Sequence, residues 1–215
     1  EYDVVILGSG PAGEKAAFQA AKLRKRVALV DRGTQLGGNC LHTGTIPSKT
    51  LRETVLHIAA ARTRNVSGLT TRLSKDVTLH AMMESKESVI RGQQEVLERK
   101  LERNDVSVFC GTGRFLDPHR IEVLEDDGAR REITAGFVVL ATGSRPARHP
   151  DIPFDDENIH DSDTILKLDE LPRTLTVVGA GVIGCEYACM FAALGTKVTL
   201  MDTRPRVLDV ADREI

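Results

Sequence analysis

Residues 3–13 read Asp-Val-Val-Ile-Leu-Gly-Ser-Gly-Pro-Ala-Gly, and this stretch decides the fold. The apolar run that ends at Gly8 is typical of a strand buried on both faces of a parallel sheet. The glycines then form a G-x-G-x-x-G turn: Gly8 permits the tight turn, Gly10 lets a pyrophosphate approach the backbone, and Gly13 lets helix and strand pack closely. We therefore predict a dinucleotide site, with the phosphates at a helix N-terminus. Its candidate residues are Gly8, Ser9, Gly10, Pro11, Ala12 and Gly13.

The residues that follow complete the unit that this turn requires. A helix-forming segment runs from Glu14 to Arg24, and a second apolar strand, Val27 to Val30, is closed by Asp31. An acid at that place can accept hydrogen bonds from both hydroxyls of a ribose. A glycine motif alone is a weak signal, but strand, helix, strand and acid in this order predict a Rossmann-type nucleotide unit.

The same pattern returns near the end of the chain. Residues 175–178 form another apolar run, residues 179–184 read Gly-Ala-Gly-Val-Ile-Gly, and Asp202 closes a strand at 197–201. One constant shift lays the first unit on the second without a gap, placing Gly8, Gly10, Gly13, Ala17, Leu23, Val27, Leu29 and Asp31 on Gly179, Gly181, Gly184, Ala188, Leu194, Val198, Leu200 and Asp202. The sequence therefore predicts two dinucleotide sites.

Composition and charge exclude several classes of function. The chain has 215 residues, 41% of them hydrophobic, and a formal net charge of −2. This charge leaves no basic footprint for nucleic acid, and no apolar run approaches the roughly 18 residues of a membrane span. Residues 1–3 pass directly into a strand without a basic segment or a cleavage site. We therefore expect a soluble, cytoplasmic protein with small-molecule partners.

The cysteines show no pattern of a metal or disulfide site. They stand at 40, 110, 185 and 189, without C-x-x-C spacing, and we expect them to be reduced. Cys110, in an apolar strand, is predicted to be a packed core thiol. Cys185 and Cys189 lie four positions apart on a helix, and without His or carboxylate partners this spacing favours helix packing over a metal.

The region between the two nucleotide units is predicted to contain two long helices and a hairpin. The expected elements are a helix at 48–64 continuing from the Cys40 segment, a polar loop at 67–76, a helix at about 79–103, a strand at 106–110, a hairpin of 121–124 and 131–134, and a strand at 137–140. Residues 146–160, rich in proline and aspartate, are the best linker candidate. The predicted fold class is α/β, with two Rossmann-like units on parallel sheets, the first carrying an inserted helical pair and a small antiparallel hairpin.

Residues 37–49, Gly-Gly-Asn-Cys-Leu-His-Thr-Gly-Thr-Ile-Pro-Ser-Lys, carry a different signal. They resemble the redox-active segment of the flavoprotein disulfide reductases, the class-I pyridine nucleotide-disulfide oxidoreductases, whose pattern is G-G-x-C-x-x-x-x-C-x-P-x-K. Cys40 occupies the first cysteine position and Thr45 the second. A threonine hydroxyl can neither form the disulfide nor offer a thiolate to a flavin, so the thiol relay lacks its flavin-side member. Both glycine turns and the A-T-G-x-x-P of residues 141–146 also match this family in order and spacing.

This resemblance implies FAD in the first unit and a nicotinamide dinucleotide in the second. It makes residues 1–146 the N-terminal part of an FAD-binding domain and residues 147–215 the start of an NAD(P)-binding domain, and it implies a longer protein with a second FAD segment and a dimerisation domain. It also implies an ion pair of Lys49 and Glu186 beside flavin N5. The candidate catalytic residues are Lys49, Glu186, Thr45 and Cys40. Besides the first glycine turn, the candidate flavin-binding residues are Asp31, Arg32, Gly38, Asn39, Cys40, Lys49, Thr112, Gly113, Ala141, Thr142 and Gly143.

Loss of the second cysteine within Gly-Thr-Ile-Pro-Ser-Lys resembles one branch of this family, the soluble pyridine nucleotide transhydrogenases of the Si-specific type. That resemblance implies hydride transfer between NADPH and NAD⁺, in ping-pong fashion at one nicotinamide site. Two alternatives stay open. One is a thiol oxidoreductase similar to dihydrolipoamide dehydrogenase, or a peroxidase, in which Cys40 works alone with help from His42; Cys40, however, matches the substrate-side cysteine, which lies too far from the ring for direct reduction. The other is a nucleotide-sensing module, which has no need for Lys49 and Glu186.

The second unit carries opposing signals for its nucleotide. Asp202 suits NAD, because a carboxylate binds both ribose hydroxyls and repels a 2′-phosphate, whereas arginine suits NADP, because its fork matches phosphate geometry. We predict a site that takes both NAD(H) and NADP(H), with Arg204 as the first candidate for the phosphate and Arg206 as the second. The candidate residues are Gly179, Gly181, Val182, Ile183, Gly184, Asp202, Thr203, Arg204 and Arg206.

Overall fold

A computed structural model describes residues 1–33, 35–63, 75–209 and 211–212. The chain forms two compact units, residues 1–47 with 89–147 and residues 48–88 with 148–215. The helices are α1 (Pro11–Lys22), α2 (Gly38–His42), α3 (Thr45–Thr63), α4 (Lys75–Arg103) and α5 (Val182–Ala193). The strands are β1 (Tyr2–Leu7), β2 (Val27–Asp31), β3 (Ser107–Cys110), β4 (Thr112–Asp117), β5 (Arg120–Leu124), β6 (Arg130–Leu140), β7 (Thr174–Val178) and β8 (Lys197–Met201).

The first unit is built on a six-stranded sheet with the order β3-β2-β1-β6-β5-β4. Strand β1 pairs in parallel with β2 and with β6, and β2 pairs in parallel with β3, which gives a Rossmann-type half. Strands β4 and β5 and the first half of β6 form an antiparallel meander. Because parallel neighbours need a crossover connection, α1 joins β1 to β2 along the chain.

Both faces of β1 are buried, as its unbroken apolar sequence requires. On one face, Val5 packs in a cluster with Ile121 of the meander. On the other, Ile6 packs with Ala17 of α1 and Leu101 of α4. Each of these side chains is at most 2% exposed. This burial on two sides fixes the C-terminal end of β1, and with it the glycine turn that follows.

The second unit contains the parallel pair β7 and β8, joined by α5. Its core draws on α3, α4, α5 and a short 3-10 helix (Thr164–Lys167), through the buried residues Leu51, Val55, Met82, Leu166, Met190 and Leu194. Lys86 of α4 is 8% exposed, and its Nζ donates to the Leu166 carbonyl at 3.0 Å. None of the helices in the described residues is long and apolar enough to cross a membrane.

The predicted α/β class is confirmed, and most elements lie within a few residues of their predicted bounds. The helices α1, α3 and α4 begin earlier than predicted, at Pro11, Thr45 and Lys75. Helix α1 starts inside its glycine turn, directly after the N-cap residue Gly10, and α5 starts in the same way after Gly181. The predicted polar loop at 67–76 lies largely outside the described residues, and its last two residues belong to α4.

The predicted hairpin of 121–124 and 131–134 is confirmed, but the sheet of the first unit differs from the prediction at β6 and at Cys110. Segments 131–134 and 137–140 form one strand, β6, whose first half pairs antiparallel with β5 and whose second half pairs parallel with β1. Gly136 lies within it at a close approach, since a Cβ there would be 3.0 Å from the Asp3 carbonyl oxygen. Cys110 is exposed, not packed in the core. The reason is that β3 is an edge strand with alternating burial, and Cys110 shares its exposed face with Val108.

Candidate functional site

The first glycine turn joins β1 to α1 and leaves its outer side open. Gly8 has a φ of +107°, and a Cβ there would lie 2.2 Å from the Ala141 carbonyl oxygen. A Cβ on Gly13 would lie 1.8 Å from the Gly8 carbonyl oxygen, so packing alone demands glycine at both positions. A Cβ on Gly10, by contrast, would meet within the described residues only Gly38 Cα, at 4.0 Å. The space at Gly10 is therefore free for an approaching pyrophosphate.

Helix α1 begins at this open turn. Pro11 is its first residue, and Gly10, its N-cap, has no side chain to cap the first N–H groups. Ala12 and Gly13 continue the first turn, and the Glu14 N–H donates to the Gly10 carbonyl at 2.8 Å. The uncapped end keeps its partial positive charge available for an anionic ligand.

Asp31, at the end of β2, is fixed against this turn by backbone donors. The Ser9 N–H donates to Asp31 Oδ2 at 2.6 Å, and the Gly33 N–H donates to Oδ1 at 3.1 Å. Ser9 is itself buried, and its Oγ accepts the Gly37 N–H at 2.9 Å. Arg32 is exposed next to Asp31. The hydrogen bond between Gly37 and the Ser9 hydroxyl was not predicted from the sequence, because it joins two loops that are distant along the chain.

The loop after β6 closes over the same turn. The Ala141 N–H donates to the Leu7 carbonyl at 2.8 Å, which holds Thr142 and Gly143 at the end of β1. The Asn39 side-chain amide donates to the Ser144 carbonyl, so α2 is tied to this loop as well.

The loop before β4 also lies near the first glycine turn, because the Gly111 N–H donates to the carbonyl of Asp31 at 2.7 Å. Thr112 and Gly113 follow directly on β4. The first unit thus brings together every flavin-binding candidate except Lys49, which belongs to the second unit.

Cys40 and Thr45 lie on two different helices. Cys40 is in the short helix α2, and Thr45 is the first residue of α3. The continuous helix predicted from Cys40 onward is wrong, because the chain breaks between them at Gly44, where a Cβ would lie 3.0 Å from the Asn39 carbonyl oxygen. Cys40 is half-buried and lines a cleft between α1, α2 and α4, whereas Thr45 is exposed.

The second glycine turn reproduces the first. Gly179 has a φ of +108°, and a Cβ on Gly184 would lie 1.9 Å from the Gly179 carbonyl oxygen. Gly181 is the N-cap of α5, and in the described part of the chain a Cβ on it would meet nothing within 4 Å. Val182 and Ile183, the first residues of α5, are exposed. This turn is therefore also open to a phosphate.

Asp202 accepts hydrogen bonds from the second glycine turn and from Arg204 of its own loop. Its Oδ2 accepts the Ala180 N–H at 2.6 Å and Arg204 Nη2 at 2.8 Å, and its Oδ1 accepts the Arg204 N–H at 2.8 Å and Arg204 Nε at 3.0 Å. The side chains are 9% exposed for Asp202 and 42% for Arg204. The hydrogen bonds from Arg204 hold the pKa of the Asp202 carboxyl well below its usual range. Thr203 and Arg206 are exposed in the same loop.

The predicted ion pair of Lys49 and Glu186 is present in the second unit. Lys49 Nζ of α3 lies 2.9 Å from Glu186 Oε1 of α5. The lysine side chain is 61% exposed and the glutamate 22%, so the ammonium remains accessible while the carboxylate is partly enclosed.

Comparison with known proteins places these features in one family. Residues 2–215 match the family described as pyridine nucleotide-disulphide oxidoreductase. The chain belongs to this family. Soluble pyridine nucleotide transhydrogenases of Mycobacterium bovis (strain BCG / Pasteur 1173P2) and Mycobacterium tuberculosis (strain ATCC 25177 / H37Ra) are each 50% identical to it over 218 residues, which cover 100% of this chain and 46% of theirs. A Pseudomonas fluorescens (strain Pf0-1) protein of the same name is 48% identical over 214 residues, with the same coverage.

Solved structures point the same way. The HOCl-induced flavoprotein disulfide reductase RclA from Escherichia coli superimposes with a TM-score of 0.81 at 31% identity, covering 100% of this chain and 45% of that one. Its Cu(II) complex gives a TM-score of 0.82 at 30% identity. The chain therefore spans about half the length of the relatives that it matches.

Pyridine nucleotide-disulphide oxidoreductases are FAD- and NAD(P)-dependent, and the residues of this member fit such groups. Each unit has an open glycine turn at an uncapped helix, suited to a pyrophosphate, and a carboxylate that accepts a hydrogen bond from a backbone N–H of that turn, suited to a ribose. The hydrogen bonds from the Arg204 side chain to Asp202 were not predicted from the sequence. The signal that could have shown them is the spacing of two residues, which lets one loop fold an arginine back onto its own acid.

Proposed function

We propose that the full-length protein is an FAD-dependent transhydrogenase of the Si-specific type, which carries a hydride from NADPH to NAD⁺ and yields NADP⁺ and NADH. The observation that carries this proposal is Thr45 at the position of the second redox cysteine. Two open dinucleotide turns in one chain support it, as do relatives of 50% identity that are named soluble pyridine nucleotide transhydrogenases. The net reaction balances as a hydride exchange and needs no thiol.

We assign FAD to the first unit. When bound, FAD supplies the centre that accepts and returns the hydride. The uncapped start of α1 at Gly10 would face its pyrophosphate, and Asp31 its ribose. Asn39 and the loop 141–144 would line the same groove, because their hydrogen bonds to each other and to β1 hold them at the turn.

We assign the nicotinamide nucleotide to the second unit, with its pyrophosphate at Gly181 and its adenosine ribose at Asp202. Lys49 would offer an ammonium to balance negative charge that gathers during hydride transfer. Glu186 would orient that ammonium through the 2.9 Å contact that it makes in this structure. The partial enclosure of Glu186 favours a fixed pair over two independent surface charges.

One observation favours a second candidate function. Cys40 is half-buried in a cleft, and the structural relative RclA is named a disulfide reductase, so a reaction that uses the Cys40 thiol is the competing assignment.

Replacing Cys40 by Ser in the full-length protein separates the two. A transhydrogenase has no use for the thiol, so Cys40→Ser should retain NADPH-to-NAD⁺ hydride transfer within about twofold of the unchanged protein. A loss of turnover, with FAD content unchanged by absorbance, would contradict the proposal and favour thiol chemistry.

A further inference from the structure

The two nucleotide units hold their ribose-side carboxylates in the same backbone frame. The Ser9 N–H reaches Asp31 Oδ2 at 2.6 Å, and the Ala180 N–H reaches Asp202 Oδ2 at 2.6 Å. Two residues after each acid, a backbone N–H donates to Oδ1, from Gly33 at 3.1 Å in the first unit and from Arg204 at 2.8 Å in the second. Each acid therefore receives one backbone hydrogen bond on each oxygen.

The units differ in what occupies the remaining acceptor positions. A carboxylate offers about four lone-pair sites, two on each oxygen. Within the described residues, Asp31 accepts only its two backbone hydrogen bonds and so keeps one free site on each oxygen, the number that a ribose diol needs. On Asp202 those two sites are filled by Nε and Nη2 of Arg204.

We propose that Arg204 is an internal competitor of the nucleotide: its two N–H groups occupy the sites of Asp202 that the two hydroxyls of an adenosine ribose would take. This inference rests on the proposed function, because it assumes that Asp202 receives the ribose of a nicotinamide nucleotide. Binding of NAD(H) then requires the guanidinium to leave. Binding of NADP(H) draws the same guanidinium to the 2′-phosphate, for which its fork is suited.

The loop is built so that this side chain can move while the backbone stays in place. Ala180 holds it at two points, by donating its N–H to Asp202 and by accepting the Leu208 N–H at 2.8 Å. The Arg204 side chain is 42% exposed, so its departure opens no core. The negative charge of Asp209 also attracts Arg204.

The difference matches what each site must do in the proposed reaction. A preformed acceptor pair in the first unit favours a cofactor that stays bound, because no group has to be displaced. A self-occupied pair in the second unit lowers the affinity for both nucleotides. A ping-pong enzyme needs that property, since each product must leave before the next substrate enters.

Two probes test the inference in the full-length holoenzyme without any redox chemistry: ADP-ribose and its 2′-phosphate, which carry the adenosine ribose but no nicotinamide. Arg204→Ala should tighten ADP-ribose by up to about fivefold, the scale of an exposed ion pair, and weaken the 2′-phosphate about tenfold. Lys197→Ala, which removes the same charge from the far end of β8, is the matched control and should change neither. Unchanged or weaker ADP-ribose binding in Arg204→Ala would overturn the inference while leaving the proposed function standing. Failure of both probes to bind the unchanged protein would overturn both.

The first unit offers the converse experiment. A Cβ on Gly33 would meet its nearest described atom at 3.7 Å, which is ordinary contact, so a side chain fits there. Gly33→Arg installs the competitor beside Asp31 and should weaken FAD by up to about fivefold relative to Gly33→Met, which has similar bulk but no N–H donor. FAD titration of the apoprotein measures this difference. Equal FAD affinity in the two variants would contradict the inference and, again, would not touch the proposed function.

Discussion

Arg204 donates to both carboxylate oxygens of Asp202, its neighbour two residues earlier, at 2.8 and 3.0 Å. A single loop thus carries an acid suited to a ribose diol and a base suited to a 2′-phosphate, paired with each other. In the proposed arrangement, NAD(H) binds Asp202 and displaces Arg204, whereas NADP(H) binds Arg204 through its 2′-phosphate and draws it away from Asp202.

The first prediction follows from this pairing. Asp202→Asn should weaken NADH about tenfold, because the hydroxyls lose a charged acceptor, and should tighten NADPH, because the repulsion of the phosphate is removed and Arg204 is released. Michaelis constants for the two nucleotides measure the effect. Asp169→Asn removes the same charge from an exposed position outside this loop and is the control. An equal shift for both nucleotides in Asp202→Asn would mean that this loop does not discriminate them.

The second prediction concerns the role of Lys49. If its ammonium balances charge beside the flavin, Lys49→Met should slow flavin reduction by NADPH about tenfold and leave nucleotide affinity nearly intact; the exposure of 61% argues against a larger effect. Stopped-flow absorbance of the flavin gives the rate. Arg52→Met, one turn along the same helix, removes an equal charge and should reduce at the unchanged rate. An unchanged rate of flavin reduction in Lys49→Met would show that the ion pair is only a surface contact without a role in hydride transfer.

The third prediction tests the close packing of the second glycine turn. Gly184→Ala should lower the free energy of unfolding by about 1 to 3 kcal/mol, because its Cβ would be driven to 1.9 Å from the Gly179 carbonyl oxygen. Gly92→Ala is the control on α4, where a Cβ meets nothing within 4 Å among the described residues, and it should raise stability by about 0.5 to 1 kcal/mol. Urea unfolding followed by circular dichroism distinguishes them. A stable Gly184→Ala protein would show that the helix can shift away from its strand.

The fourth prediction counts electrons. With Thr45 at the second redox position, no disulfide can accept electrons beside the flavin, so reductive titration with dithionite should take up two electrons per FAD. An uptake of four would reveal a second redox centre formed by Cys40 with another group, and would favour the thiol alternative.

The sequence predicted the parts of the site that rest on backbone geometry. Gly8 and Gly13 could be recognised because no other residue fits where the Gly8 carbonyl crosses helix α1, and the repeat at Gly179 and Gly184 made the second unit visible. The acids at 31 and 202 followed from their place at strand ends. These features depend on residues that are close together in the chain, so they can be recognised from the sequence.

The features that the sequence did not reveal depend on contacts between distant segments or on the edges of sheets. Cys110 looks buried in a run of apolar residues, but its strand lies at the edge and its face is exposed. At the break between α2 and α3 the Gly44 N–H donates to the Asn39 carbonyl, a turn contact that no helical pattern shows. The pairing of Arg204 with Asp202 is an exception, because the two residues are only two positions apart, but an acid and an arginine in one loop do not by themselves show that their side chains meet.

The most direct test of the central claim, hydride transfer from NADPH to NAD⁺, is a direct assay of the full-length, FAD-containing protein with NADPH and thio-NAD⁺. The absorbance of the reduced thionicotinamide reports the product. Hydride exchange predicts turnover with parallel lines in double-reciprocal plots, as ping-pong kinetics require, and no NADPH or NADH oxidation when glutathione disulfide or lipoamide replaces thio-NAD⁺. Robust reduction of either disulfide, with no transfer to thio-NAD⁺, would contradict the claim.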